Sequence, residues 1–220
     1  MSFARLGLSF SRRWRETTTF PKSSSCLSKK SSEGKLFLLF RVFFAIERSM
    51  KVLLLGSSGL LGSEFLKILE AQEEIEYVAP SHRELDVMDF EAVDRFLAHE
   101  YFDRVLYCIA YTQVDRAEIE QGQCEQLNVD ALKNIIAHRR PVIHFSTDYV
   151  FDAPKDLAIP ENYPRQPLNF YGQSKVQAEE LLEVSKNPFW NIRTSWLFGA
   201  ERENFVSRIL KIARTQDSIP

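Results

Sequence analysis

Tyr171 and Lys175 stand four residues apart in Tyr171-Gly172-Gln173-Ser174-Lys175. On a helix that spacing puts both side chains on one face. A free phenol ionises near about 10, and a nearby ammonium favours the phenolate and lowers that value. Such a pair can exchange a proton with a substrate oxygen near neutral pH. Thr147, in Ser146-Thr147-Asp148-Tyr149-Val150-Phe151, adds a hydroxyl able to hold the same oxygen. Taken alone, Tyr-x-x-x-Lys is as readily a Tyr packed beside a surface Lys. A glycine pattern upstream tips the balance.

Gly56-Ser57-Ser58-Gly59-Leu60-Leu61-Gly62 follows directly on the apolar run Lys51-Val52-Leu53-Leu54-Leu55. Phe65, Ile68 and Leu69 then recur at helical spacing over Ser63–Gln72. A buried strand, a glycine-rich turn and a helix are the parts of a pyrophosphate cradle. Gly56 serves the tight turn, Gly59 the approach of backbone to phosphate, and Gly62 the packing of helix on strand. The free N–H groups and positive end of the helix favour an anion. Ser58, Leu60 and Leu61 complete the candidate cofactor loop. The spacing is G-x-x-G-x-x-G, which on its own also suits a plain strand-to-helix turn.

The elements that must position these groups alternate. Glu76–Ala79 reads as the second strand and Asp89–His99 as a helix with Asp89 as N-cap. Val105–Ala110 reads as the third strand, Ile119–Arg139 as one long helical stretch, and Pro141–Phe145 as the fourth strand. A helix then runs through Tyr171 to about Lys186, and another spans Phe205–Ala213. Alternation of this kind predicts an α/β fold with a doubly wound parallel sheet, a Rossmann fold. Ligands in such sheets lie beyond the carboxyl ends of the strands, which is where Thr147 falls. After the second strand comes Pro80-Ser81-His82-Arg83, with no acid for ribose hydroxyls. Arg83 can pair with a 2′-phosphate, or be a solvated surface charge. NADPH is therefore the expected cofactor, with NADH left open.

The chain has 220 residues and a net charge of −2, which argues against a nucleic-acid partner. That average conceals a split. Residues 1–49 carry 10 Lys+Arg against 3 Asp+Glu and 10 serines, whereas the rest carries 18 against 27. The first segment reads as lying outside any domain. Translated upstream sequence before a start at Met50 is the favoured account: Glu47-Arg48-Ser49 can be encoded with AGGAG just ahead of the Met50 codon. A targeting segment or a real arm are the alternatives. Its apolar run Leu36–Ile46 is too short to cross a membrane, which takes roughly 20 residues. Cys26, Cys108 and Cys124 form neither a disulfide framework nor a zinc pattern. His82, His99, His138 and His144 are scattered and read as structural or surface residues, and the chemistry requires no metal.

From Met50 to Pro220 the chain resembles the dTDP-4-dehydrorhamnose reductase family of extended short-chain dehydrogenases/reductases. The resemblance rests on Gly56–Gly62, Ala110–Glu118, Leu127-Asn128, Ser146–Phe151, Pro167–Lys175, Arg193-Thr194-Ser195-Trp196 and Asn204-Phe205. It implies hydride transfer from NADPH to the C4 carbonyl of dTDP-4-dehydro-L-rhamnose, in the cytoplasm, for surface polysaccharide. Thr147, Tyr171 and Lys175 match the catalytic set. Asp86, Val87, Ala110 and Tyr111 match cofactor positions. Thr112, Val114, Asp148, Tyr149 and Trp196 match positions facing the sugar nucleotide; Trp196 equally suits a core aromatic. The implied partner is a small-molecule nucleotide sugar, with no membrane partner and a homodimer left open.

Two departures stand out. Ile109 occupies a position where the family usually has Ala, and is expected to crowd the cofactor. The chain also stops soon after Phe205–Ala213, so residues 50–198 read as the NAD(P)-binding domain and 199–220 as the start of a substrate lobe largely missing. An unpaired sheet edge and exposed apolar surface should result. Two other readings remain open. An epimerase is compatible with the triad, although a dehydratase would carry an Asp-Glu pair after Thr147 where Asp148-Tyr149 stands. A non-catalytic cofactor-binding regulatory subunit, resembling that of methionine adenosyltransferase, shares the Leu127–Ala131 phrase and Asp148-Tyr149-Val150-Phe151-Asp152.

Overall fold

The computed structural model describes the backbone of residues 9–12 and, with side chains, residues 50–153, 158–199 and 202–214. Residues 1–8 and 13–49, including Cys26 and the run Leu36–Ile46, lie outside the described residues, as do 154–157, 200–201 and 215–220.

The strands are β1 (Ser9–Arg12), β2 (Met50–Leu55), β3 (Ile75–Val78), β4 (Arg104–Tyr107), β5 (Val142–Thr147) and β6 (Phe189–Thr194). The helices are α1 (Leu60–Glu70), α2 (Phe90–His99), α3 (Val114–Ala117), α4 (Gln121–Glu125), α5 (Ala131–Ala137), α6 (Phe170–Val184) and α7 (Phe205–Ala213). The sheet order is β1-β6-β5-β4-β2-β3, and β2 through β6 are mutually parallel. The chain leaves β2 toward β3 on one side and returns through β4 to β6 on the other. The crevice of a doubly wound sheet lies at that reversal, here between β2 and β4.

Alternation along each strand builds two cores. Leu53, Leu55, Val105, Tyr107 and Val142 face the layer formed by α2, α5 and α6, with Val93, Leu97, Leu132, Ile135, Ala178 and Leu182 opposite. Val52, Leu54, Leu106, Ile143 and Ile192 face the other side and meet Phe65 and Leu69 of α1. Each fully buried side chain of this size contributes about 1.5–3 kcal/mol relative to exposure. Asp89 accepts from Ala92 N at 2.9 Å, capping α2 as its sequence suggests.

Three elements differ from what the sequence predicts. The stretch Ile119–Arg139 is not one helix: α4 passes into a π-helical turn over Gln126–Asp130 before α5. That turn rotates Asn128 inward, where Tyr111 N and O, Ser174 Oγ and Cys124 Sγ engage its amide. The third strand ends at Tyr107: its pairing with β2 stops at Leu55, to whose carbonyl Cys108 N makes the last bond at 3.0 Å. β6 is a strand the apolar pattern did not reveal, since Asn191 and Arg193 interrupt it. Ser9–Arg12 pairs antiparallel with Arg193–Trp190 along the outer edge of β6. An uncovered edge would leave a row of unpaired N–H and C=O groups.

α7 follows the expected bounds and is capped by Asn204 and Ser207 in a reciprocal box, yet none of its residues is buried. Phe205, Val206 and Leu210 are exposed, as are Trp196, Leu197 and Phe198 beside it. No described helix is long and apolar enough to cross a membrane.

Candidate active site

The glycine loop joins β2 to α1 at the crevice. Gly56 has φ +84°, a left-handed conformation that favours glycine. A Cβ at Gly62 would lie 2.0 Å from Gly56 O, so only hydrogen fits there. Gly59 N donates to Gly56 O at 3.0 Å, closing the turn, and Gly59 and Ser58 are exposed. The first turn of α1 has no acidic residue and no side-chain cap. A cradle that a Cβ would fill, beside an uncapped 11-residue helix start, fits the pyrophosphate of a dinucleotide. Leu60 and Leu61 begin the helix, both half-buried. Ile109 is half-buried and packs on the core, with Cγ1 3.0 Å from where a Gly56 Cβ would stand. Its side chain thus lines the loop's inner wall.

Arg83 is exposed in the turn after β3, the strand next to β2 on the side away from β4. Asp86 Oδ1 accepts from Met88 N at 2.9 Å, and Val87 is buried in the core. Ala110 and Tyr111 follow β4, with Tyr111 N donating to Asn128 Oδ1 at 2.8 Å and its hydroxyl tied to Glu120. Tyr111 and Val114 pack against Ala117, Cys124 and Tyr171. Thr112 is exposed.

β5 delivers Thr147 at its carboxyl end, and α6 delivers Tyr171 and Lys175. Asn169 caps α6 by accepting from Gly172 N at 2.7 Å, and Glu118 Oε1 accepts from Phe170 N at 2.7 Å. Gly172, which the sequence reading did not single out, allows α6 to touch the Asp148–Val150 turn: a Cβ there would stand 2.4 Å from Tyr149 O. Tyr149 meets the Tyr171 ring edge-on at 5.7 Å. Thr147 Oγ1 donates to Asp148 Oδ1 at 3.1 Å and accepts from Tyr149 N at 3.2 Å. Ser195 Oγ donates to Asp148 Oδ2 at 2.6 Å, so Asp148 links the ends of β5 and β6. Trp196 is 70% exposed with φ +52°, stacked edge-on to Phe205 at 4.6 Å, and is no core aromatic.

The electrostatics differ from the simple expectation for Tyr171. Burial pushes its phenol up to about 12, while the Thr147 hydroxyl pulls the other way. Tyr171 is therefore protonated at neutral pH, as a proton donor must be. Lys175 is 1% exposed, and burial lowers its ammonium to about 8 despite the opposing charge of Glu179. Its Nζ lies 2.8 Å from His144 Nε2. His144, read from sequence only as structural or surface, is fully buried directly behind the lysine. A lone histidine in an apolar strand gives no sequence signal of that placement.

Fold and site together define a class: a Rossmann-type doubly wound domain with a glycine-loop cradle and a Thr–Tyr–Lys set at the sheet's carboxyl edge. The chain belongs to the RmlD substrate binding domain family, whose model matches residues 50–220. It is 34% identical over 175 residues to the dTDP-4-dehydrorhamnose reductase of Aggregatibacter actinomycetemcomitans, covering 76% of this chain and 58% of that protein. The chain thus spans a little over half the length of the curated relatives it matches. Among solved structures, the dTDP-4-dehydrorhamnose reductase of Clostridium acetobutylicum superposes with a TM-score of 0.71 at 29% identity, covering 76% of this chain and 61% of that one. The Bacillus anthracis dTDP-4-dehydrorhamnose reductase, solved in complex with NADP, gives 0.71 at 27%, covering 78% and 62%. A UDP-Glc/GlcNAc 4-epimerase from Campylobacter jejuni, at 23% identity, a TM-score of 0.56 and coverage of 61% and 48%, shares the fold.

Proposed function

We propose that this chain binds NADPH and reduces the C4 carbonyl of dTDP-4-dehydro-L-rhamnose, giving dTDP-L-rhamnose. The observation that carries this reading is the convergence of buried Tyr171 and Lys175 on α6 with Thr147 at the end of β5. The relatives named for this reaction, and the neighbour solved with NADP, support it.

Gly56–Gly62 and the start of α1 would hold the pyrophosphate of the dinucleotide, Arg83 would pair with a 2′-phosphate, and Asp86, Val87, Ala110 and Tyr111 would border the rest of the cofactor. When bound, NADPH supplies a hydride to the sugar C4. Tyr171 gives its phenolic proton to the C4 oxygen as negative charge develops there, turning C=O into CH–OH. The Thr147 hydroxyl orients that oxygen. The Lys175 ammonium holds the nicotinamide ribose and stabilises the phenolate left on Tyr171. Thr112, Val114, Asp148, Tyr149 and Trp196 face the sugar nucleotide. Residues from 199 onward begin the substrate lobe; the exposed apolar side chains of α7 support that assignment.

The test is NADPH consumption with dTDP-4-dehydro-L-rhamnose, alongside Tyr171→Phe. Removing the proton donor should lower turnover about 10²–10⁴-fold with NADPH binding retained. Equal turnover in the variant would overturn the assignment of Tyr171.

A further inference from the structure

A group of buried polar side chains packs between β5, β6 and α6, next to the candidate site. β5 and β6 run parallel, with His144 opposite Asn191 and Ser146 opposite Arg193. The period of two turns His144, Ser146, Asn191 and Arg193 toward α6, where Tyr171, Lys175 and Glu179 form one row. Lys175 and Glu179 are 1% exposed, His144 0%, Asn191 3% and Arg193 7%. A polar seam this deeply buried depends on its hydrogen bonds, and of these side chains the Ser146 hydroxyl has no close partner.

Chemistry fixes the direction of each bond. A lysine ammonium has three donors and no acceptor. At 2.8 Å from Nζ, His144 Nε2 must therefore be the accepting nitrogen, and the ring proton sits on Nδ1. Nδ1 lies 2.7 Å from Asn191 Oδ1 and donates to it. The Asn191 amide is then oriented, with its nitrogen free to donate. The Asn191 amide also acts on the Glu179 carboxylate and favours its charged form. Arg193 grips that carboxylate with two bonds, Nε to Oε1 at 2.8 Å and Nη2 to Oε2 at 2.5 Å. One Nζ hydrogen of Lys175, the His144 Nδ1–H and the Asn191 amide thus form a directed series that ends on an anion held by Arg193 and, at 3.3 Å, by Arg165.

We propose that His144 is the positioning residue for Lys175: as the neutral Nδ1–H tautomer set by Asn191, it anchors the ammonium from behind and couples it to the Glu179–Arg193 ion pair. Two Nζ hydrogens remain for the crevice side. The inference rests on the reading of Lys175 as the group that holds the cofactor ribose. The groups facing this lysine and its histidine are Cys124 from α4, Glu179 and Tyr171 from α6, Asn191 and Arg193 from β6, and Tyr107 of β4, whose ring lies 6.3 Å from that of His144. Burial and the lysine's charge hold the imidazole at about 3, so His144 stays a neutral acceptor throughout the neutral range.

The first measurement is ¹⁵N NMR of the full chain with labelled histidine. His144 should show protonated Nδ1 and bare Nε2, with no titration between about pH 5 and 8. The opposite tautomer, or an imidazolium in that window, overturns the proposal without recourse to any variant or ligand. The second is the pH dependence of NADPH affinity, followed by fluorescence, in wild type, His144→Leu and His144→Gln. Losing the acceptor in His144→Leu should move the alkaline loss of affinity down by about one pH unit, and weaken binding about tenfold above that point. His144→Gln, which can present an acceptor to Nζ, should restore the wild-type midpoint. An unmoved midpoint in His144→Leu, or no rescue by Gln, would overturn the anchor. If wild type binds no NADPH at any pH, the dinucleotide reading fails instead. In that case the histidine tautomer and the lysine Nζ titration, both read by NMR, still decide the anchor.

Discussion

Replacing Gly62 by Ala should damage both stability and cofactor binding. The added Cβ would stand 2.0 Å from Gly56 O and 2.7 Å from Gly56 C, both backbone atoms. A carbon–oxygen contact needs about 3.3 Å or more, so α1 must retreat by roughly 1 Å. Overpacking of this kind costs about 1–3 kcal/mol, which for a chain this size lowers Tm by about 2–12 °C. The retreat also withdraws the α1 N–H groups from the pyrophosphate. Each hydrogen bond to a charged group is worth about 1.5–3 kcal/mol, so NADPH affinity should fall about 10- to 150-fold. Two other glycines separate the effects. A Cβ at Gly59 meets only Gly56 O, at 3.3 Å, on an exposed turn. Gly59→Ala should therefore leave Tm nearly unchanged but crowd the phosphates and weaken NADPH. A Cβ at Gly122 meets nothing within 4 Å inside α4, so Gly122→Ala should raise Tm slightly, by about 0.4–1 kcal/mol of stability, and leave affinity alone. Thermal melts and fluorescence titrations read both quantities. A Gly62→Ala protein with wild-type Tm and wild-type NADPH affinity would refute the argument.

Two further outcomes follow from buried charge and from capping. Burial would raise the Glu179 carboxyl, but Arg193 holds it at about 2, against 4.5 unperturbed. A depressed carboxylate contributes stability above its unfolded value, and that contribution is lost as pH falls from about 4.5 toward 2, about 3 kcal/mol in all at 1.36 per unit. Urea denaturation of Glu179→Gln should therefore be easier at pH 7 and show a flatter acid slope than wild type; parallel slopes would contradict the pairing. Asn204 caps α7 and also donates to Gly199 O and Arg202 O at 2.7 and 2.8 Å. Asn204→Ala should cost about 1 kcal/mol locally, seen as faster hydrogen exchange in α7 with little change in Tm, because α7 buries no residue; unchanged exchange would count against the cap.

The parts of the site that use repeating patterns were legible in the sequence. The β2 run, the three glycines and the Phe65–Leu69 spacing announce strand, turn and helix, because burial imposes a period on each. Asp89 announces the α2 cap, and Asn204-Phe205 the start of α7. The parts that depend on tertiary pairing were not legible. Asn191 and Arg193 disguise β6, since a buried polar residue in a strand makes sense only beside His144 and Glu179. Asn128 breaks the long helix by turning toward Tyr111 and Ser174, contacts set by residues 17 and 46 positions away. The tyrosine–lysine spacing was read correctly as one helix face, but not its electrostatics. Burial, which spacing does not report, sets the Tyr171 phenol high and turns the lysine toward His144.

In the proposed reaction the sugar C4 receives the hydride and Tyr171 supplies the proton. The most direct measurement uses NADPH deuterated at its reactive nicotinamide carbon, incubated with the protein and dTDP-4-dehydro-L-rhamnose. Reduction at this site predicts dTDP-L-rhamnose carrying one deuterium at C4, formed by wild type and nearly lost in Tyr171→Phe. Tight NADPH binding with no deuterium transferred to the sugar would contradict it, and would point to a chain that holds the cofactor without performing the reduction.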